Sequence, residues 1–97
     1  MTVGLVPYSA RRVIQGVGRR LAELRVERGL TQEQVAETMD VTPQWLSRAE
    51  NGENLTIATL VRFANIYEVA IPTLFEAPVS AARAKPGRPK RGAARKP

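Results

Sequence analysis

The stretch Gln32-Glu-Gln-Val-Ala-Glu-Thr-Met-Asp-Val-Thr-Pro-Gln-Trp-Leu-Ser-Arg-Ala-Glu-Asn-Gly52 reads as two short helices joined by a tight turn. Thr31, just before it, is an N-cap residue, and Gln34 three positions later completes a capping box. The first helix then spans Gln32 to Met39, with Val35, Ala36 and Met39 on one face. Asp40-Val41 leaves room only for a tight connection. Thr42 caps the second helix and Pro43 takes its first position, where a missing N–H costs nothing. That helix runs to Glu50 with Leu46 and Ala49 inward, and Asn51-Gly52 ends it. Helices joined by so short a turn cross closely at an angle. The crossing needs a small residue, which Ala36 supplies, and a turn residue that tolerates positive φ. Val41 fills the corner between the two helices.

The same periodicities continue outward. Upstream, Val17, Leu21 and Leu24, with Val26 beside them, mark a helix that Gly29 stops. Ser9 is placed to cap a short preceding segment through Arg12, Val13 and Ile14, which Gly16 and Gly18 weaken by roughly 1 kcal/mol each. Met1 to Ser9, with Gly4 and Pro7, has no period and reads as an arm. Downstream, Thr56 caps a fourth helix whose expected inner stripe is Ile57, Leu60, Val61 and Ala64. A short fifth helix from Ile71 to Glu76 offers Ile71, Leu74 and Phe75. Beyond Pro78 the chain is Ala, Arg, Lys, Pro and Gly, which bury too little apolar area to fold. The expected architecture is all-α: a flexible N-terminal arm over 1–12, five short helices over 13–76, and a disordered basic tail over 77–97.

Three segments carry a family resemblance. They are Leu30-Thr31-Gln32-Glu33-Gln34-Val35-Ala36, Leu46-Ser47-Arg48-Ala49-Glu50-Asn51-Gly52 and Asn54-Leu55-Thr56-Ile57-Ala58-Thr59-Leu60. In register, they make the chain similar to the Cro and lambda-repressor (Xre-type) helix-turn-helix family from Val17 to Phe75. The resemblance implies a five-helix lambda-repressor-like DNA-binding domain, a transcriptional repressor or autoregulator that uses no cofactor. Two departures stand out. Asp40 replaces the usual turn glycine, but Asp is among the residues that tolerate the left-handed region. Glu68-Val69-Ala70 stands where the family often has a glycine stop and a serine cap, which leaves the junction to the fifth helix less defined.

With Leu46 and Ala49 facing the core, positions 44, 45 and 48 project outward near the helix N-terminus, where a recognition helix meets base edges. Gln pairs bidentately with adenine and Arg with guanine in the major groove. The candidate base contacts are therefore Pro43, Gln44, Trp45, Ser47 and Arg48. For Arg48 the alternative is a solvated surface charge. Two readings also fit Trp45: contact with a thymine methyl or the sugar-phosphate wall, or cover for a neighbouring helix. Gln32 at a helix start and Thr42 at the next are candidate phosphate contacts. The resemblance adds Asn51 to them, and makes Arg25 and Glu50 a stabilising pair between the first and third helices.

Composition sets the limits. The 97 residues make one small domain, with five aromatic residues by count and no Cys or His. That excludes thiolate and imidazole metal sites and the usual nucleophile–histidine pairs, and the nine acids fall mostly on solvent-facing helical positions, so no enzyme and no metal site are expected. No apolar run approaches the ~20 residues of a membrane span. Met1 to Tyr8 is too short for a signal-peptide core. A cytoplasmic, nucleoid-associated protein is the expectation.

The net charge of +6 is unevenly placed. From Ala77 onward there are seven bases and no acid, leaving eight bases against nine acids in residues 1–76. Within the tail, Lys85-Pro-Gly-Arg-Pro-Lys-Arg-Gly92 resembles an AT-hook, an extended segment that lays arginine into the narrow A·T minor groove, although Pro86 stands where the first arginine is usual. The alternative is a polycation that adds nonspecific affinity. Lys85, Arg88, Lys90 and Arg91 are the candidate tail contacts on either reading.

A single helix-turn-helix reads too few base pairs to find one site in a genome. The expected partner set is double-stranded DNA and a second copy of the chain, meeting at Tyr67, Ile71, Leu74 and Phe75; the alternative for these four is closure of the intrachain core. A protein partner, a toxin or RNA polymerase, is compatible with the sequence. Two rival functions go with other observations: an antitoxin, which a neighbouring toxin gene favours, and an architectural nucleoid protein, which equal affinity for all duplexes favours.

Overall fold

The computed structural model describes residues 8–79. Along them run α1 (Ala10–Glu27), α2 (Gln32–Met39), α3 (Pro43–Glu50), α4 (Ile57–Tyr67) and a 3-10 turn (Ile71–Phe75), with no strand among the described residues. The arm before Tyr8 and the basic tail after Val79 lie outside them.

The expected helix starts are built as capping chemistry requires. Thr31 Oγ1 accepts the Gln34 N–H at 3.0 Å and Gln34 Oε1 accepts the Thr31 N–H at 2.8 Å, a complete capping box. Thr42 and Thr56 accept the N–H groups of Trp45 and Thr59. At the α2–α3 turn Asp40 takes φ 61°, ψ 46°, in the left-handed region the turn demands. Its N–H and that of Val41 return to carbonyls of α2. The last carbonyl of α2, on Met39, accepts from the Arg62 guanidinium.

Four sequence expectations shift. The segment capped by Ser9 is not a separate short helix: it continues unbroken through Gly16 and Gly18 to Glu27, so Ala10–Arg12, placed in the arm, form the first turn of α1. Tertiary contact explains the tolerance, since Gly18 lies against the end of α3 and Gly16 beside Pro78. Val26, grouped with the inner face of α1, is exposed.

The inner stripe of α4 is also rotated. Ile57 is 77% exposed and Val61 40%, while Leu60, Phe63, Ala64 and Tyr67 are buried. Phe63 stacks between Trp45 and Tyr67, with ring centroids 6.2 and 6.0 Å away. Aromatic rings bury more area than branched aliphatic side chains, so the aromatic ridge takes the core side.

The fifth helix is a five-residue 3-10 turn, leaving α1 to α4 as the α-helices among the described residues. Pro72, in its first turn, lacks an N–H, and in a 3-10 repeat Ile71 and Leu74 eclipse on one side. Leu74 is fully buried, Ile71 partly so, and Phe75 stays 51% exposed. Arg20 ties this turn to α1: its Nε donates to Thr73 O at 3.1 Å, and its two Nη atoms reach Glu23 and Glu76. Glu68, at the junction that departs from the family pattern, ends α4 with φ 57°, where a glycine would sit without strain.

Candidate nucleic-acid interface

The outward side of α3 is set by what its inward side buries. Leu46 and Ala49 are enclosed by α1, α2 and α4, which leaves Pro43, Gln44 and Arg48 exposed and Ser47 half-exposed. Gln44 and Arg48 are four residues apart, so they stand on one face one turn from each other. Arg48 has no ion-pair or hydrogen-bond partner among the described residues. Gln44 in the first turn of α3 and Arg48 in its last turn, both backed by the core, offer the free donors that reading of base edges needs.

Other sequence candidates fall elsewhere. Trp45 takes the second of its two readings: it is half-buried and lies nearly parallel to Phe63, 10° between ring planes, covering α4. The Gln32 side chain does not project freely toward a ligand but donates from Nε2 to Glu50 Oε1 at 3.0 Å. What remains available there is backbone. The capping box occupies the N–H groups of Thr31 and Gln34, so the amides of Gln32 and Glu33 open the helix outward. Thr42 spends its hydroxyl on the α3 cap. Asn51 is exposed and donates to Ser47 O at 2.8 Å. Of the four residues expected at a dimer contact, Tyr67 and Leu74 are 0% exposed and belong to the intrachain core, because stacking on Phe63 and closure under the 3-10 turn enclose them. Lys85, Arg88, Lys90 and Arg91 lie outside the described residues.

Beneath this surface Arg25 and Glu50 form a two-pronged ion pair, Nε to Oε2 at 2.7 Å and Nη2 to Oε1 at 3.2 Å. Arg25 also donates to Leu30 O at 2.9 Å, which ties the end of α1 to the start of α2. The hydrogen bond to Glu50 holds the Arg25 pKa above its ordinary value. Glu50 thus collects α1, α2 and α3 at one buried carboxylate.

Tyr67 lies near this pair, and its hydroxyl is buried without a hydrogen-bond partner. Burial, helped by the Glu50 carboxylate, raises its pKa well above the ordinary 10. The folded state therefore keeps a proton that the unfolded chain releases above pH ~10. The phenol's favourable share is complete below that pH and is lost as pH rises toward the folded pKa. Chemical denaturation across the alkaline range should show stability falling above pH ~10 in the wild type and less steeply in Tyr67→Phe. Near neutral pH, Tyr67→Phe should equal or exceed the wild type by up to about 1 kcal/mol, since it removes an unsatisfied buried hydroxyl.

One further part of the surface escaped the sequence reading. A cleft of about 500 Å³ opens between α1 and the facing ends of α2 and α3, lined by Gln15, Arg19, Ala22, Gln32, Glu50 and Asn51. The available signal was spacing: positions 15, 19 and 22 share one face of a helix. Among the described residues no cluster of acids is suited to hold a metal ion, and no helix is long and apolar enough to cross a membrane.

A family profile described as a helix-turn-helix domain matches residues 17–77. No curated protein matches the chain. Among solved structures the chain is similar to the "DNA-binding domain of BldD", with a TM-score of 0.62 at 22% identity, over 68% of this chain and 97% of that one. It is similar also to "hypothetical transcription factor NHTF from Neisseria", with a TM-score of 0.64 at 18% identity, over 84% of this chain and 95% of that one. At such identities the likeness is one of fold.

Proposed function

The chain belongs to the helix-turn-helix domain family, which works by binding DNA and not by catalysis, and on that premise we propose that it is a sequence-specific transcriptional regulator, a repressor or autoregulator, that reads the major groove with α3. The observation that carries this reading is the pair Gln44 and Arg48, exposed on one face of α3 above the fully buried Leu46. Pro43 and Ser47 flank them, and Asn51 with the start of α2 supplies backbone contacts. Trp45, held against Phe63, positions the helix and offers only its outer edge to DNA.

The regulator binds as a two-fold dimer on an inverted repeat, with half-sites about 34 Å apart. Phe75 and the exposed part of Ile71 are its apolar contact. The basic tail adds phosphate or A·T minor-groove contacts to a domain that is otherwise nearly neutral.

Selection from a random duplex library tests the reading, with the full chain and with a chain ending at Ala77. Both should recover one inverted-repeat motif. Arg48→Ala or Gln44→Ala should erase the preference at one position, a loss of about 1–3 kcal/mol of discrimination. If the tail engages about five phosphates, truncation should keep the motif and flatten the slope of log affinity against log salt by roughly 4 to 5. Enrichment by the full chain alone, for A·T-rich DNA without symmetry, would replace sequence reading with an architectural role.

A further inference from the structure

Between Tyr8 and Val79 the bases are eight arginines, and half of them are occupied. Arg20 holds Glu23 and Glu76, Arg25 holds Glu50, Arg28 holds Glu27, and Arg62 caps Met39 O. The guanidinium groups of Arg11, Arg12, Arg19 and Arg48 have no partner among the described residues. Three of these four stand on the exposed side of α1, and the fourth on the outward face of α3.

Their placement on α1 is ordered. Arg12 and Arg19 are seven residues apart, which puts them within ~20° of each other around the helix, with Gln15 between them on the same face. Gln15 and Arg19 line the cleft that Asn51 and the start of α2 close from the other side. On α3, Asn51 follows Arg48 by three residues and continues the face that Gln44 and Arg48 begin. One surface thus runs from the outward residues of α3, over Asn51, onto the stripe of α1. The acids that border it are matched: Glu50 is neutralised by Arg25, and Glu23 is paired with Arg20. Glu33, exposed in the first turn of α2, and Glu53, exposed beside the Gly52 that packs on Gln15, have no ion pair among the described residues and add negative charge at the rim.

We propose that the α1 stripe Arg12, Gln15 and Arg19 is a phosphodiester-binding rail that fixes the protein's register on duplex DNA. This rests on the reading of α3 as the recognition helix. With α3 in the major groove, the flanking strand passes Asn51 and meets α1. Phosphate oxygens there find two guanidinium groups with no competing partner and neutral donors on Gln15 and Asn51. Such contacts position the protein without carrying sequence information. They explain how a domain with a balance of −1 over residues 1–76 meets a polyanion: Arg12, Arg19 and Arg48 share one surface, while Glu50 and Glu23 beside it are paired with Arg25 and Arg20.

The test uses the full chain and fluorescence anisotropy on two duplexes, one carrying the selected motif and one scrambled, across a range of salt. Arg12→Ala and Arg19→Ala should each weaken binding to both duplexes alike, by roughly five- to tenfold. Each should lower the salt slope by about 0.9, and the double variant by about twice that. The selected motif should not change, and Arg19→Lys should keep the slope. Arg28→Ala removes the same charge away from the stripe and should leave the slope nearly unmoved. A loss confined to the motif duplex, no loss, or an equal effect of Arg28→Ala overturns the rail and leaves α3 as the reader. Wild-type protein that binds neither duplex overturns both.

Discussion

Gly18→Ala should lower the melting temperature by roughly 10–20 °C, the shift that a loss of about 2–3 kcal/mol produces in a domain of this size. A Cβ at this position would lie 2.7 Å from Ala49 O, 2.8 Å from Glu50 O and 2.8 Å from Gly52 N. All three atoms are backbone at the end of α3, so no side chain can swing aside. Either α1 and α3 separate or the α3 terminus unwinds, and both disturb the cleft and the seat of Asn51. Helix propensity pulls the other way, because alanine is favoured over glycine by about 1 kcal/mol inside a helix. Gly16→Ala isolates that opposing contribution: its Cβ would meet only Pro78 at 4.0 Å, an ordinary contact. The two variants, two residues apart in one helix, should therefore differ in sign, with Gly16→Ala neutral or stabilised by up to about 1 kcal/mol. Equal melting temperatures for the two would show that α1 and α3 do not approach as closely as described.

Removing the arginine from the buried pair should have an effect at least as large. Arg25→Met leaves the Glu50 carboxylate, whose side chain is 5% exposed, with the Gln32 amide alone. Breaking a buried pair in this way costs about 3–5 kcal/mol, much of the stability of a small domain. Two losses coincide in the native state: Glu50 keeps an unmatched charge, and Leu30 O loses the donor that joins α1 to α2. The double variant Arg25→Met with Glu50→Met should recover most of the deficit, since paired apolar replacements of buried ion pairs are often neutral. Urea denaturation of the wild type, both single variants and the double variant completes the thermodynamic cycle. A single-variant loss below about 1 kcal/mol would place the pair with solvent-screened surface bridges.

Much of the site was legible because it depends on local chemistry. Thr31, Gln34, Thr42 and Pro43 define the limits of α2 and α3 through hydrogen bonds spanning three or four residues, and the observed ends coincide with those expected. Asp40 at the turn follows from the same short-range reasoning, as does the exposure of Gln44 and Arg48 opposite Leu46. The family resemblance supplied the Arg25–Glu50 pair, which spacing along the chain does not reveal.

What escaped was decided between elements. Two stripes were available on α4, and the choice of Phe63 over Ile57 and Val61 depended on a ring stacked from α3 on one side and from Tyr67 on the other. Tyr67 and Leu74, apolar enough to suit a partner's surface, were claimed by the chain's own core. Gly18 reads as a weakness within its helix and becomes a requirement only where α3 ends against it. Gln32 reads as a free donor until Glu50, brought from α3, accepts its hydrogen bond. The sequence by itself determined where the helices of the helix-turn-helix start and stop and which α3 residues point away from Leu46 and Ala49, because caps, turns and periodicity act within a few residues. Only the tertiary structure decided which arginines stay free and that α1 joins α3 in one surface, because ion pairs and packing depend on distances in space that the order of residues does not encode.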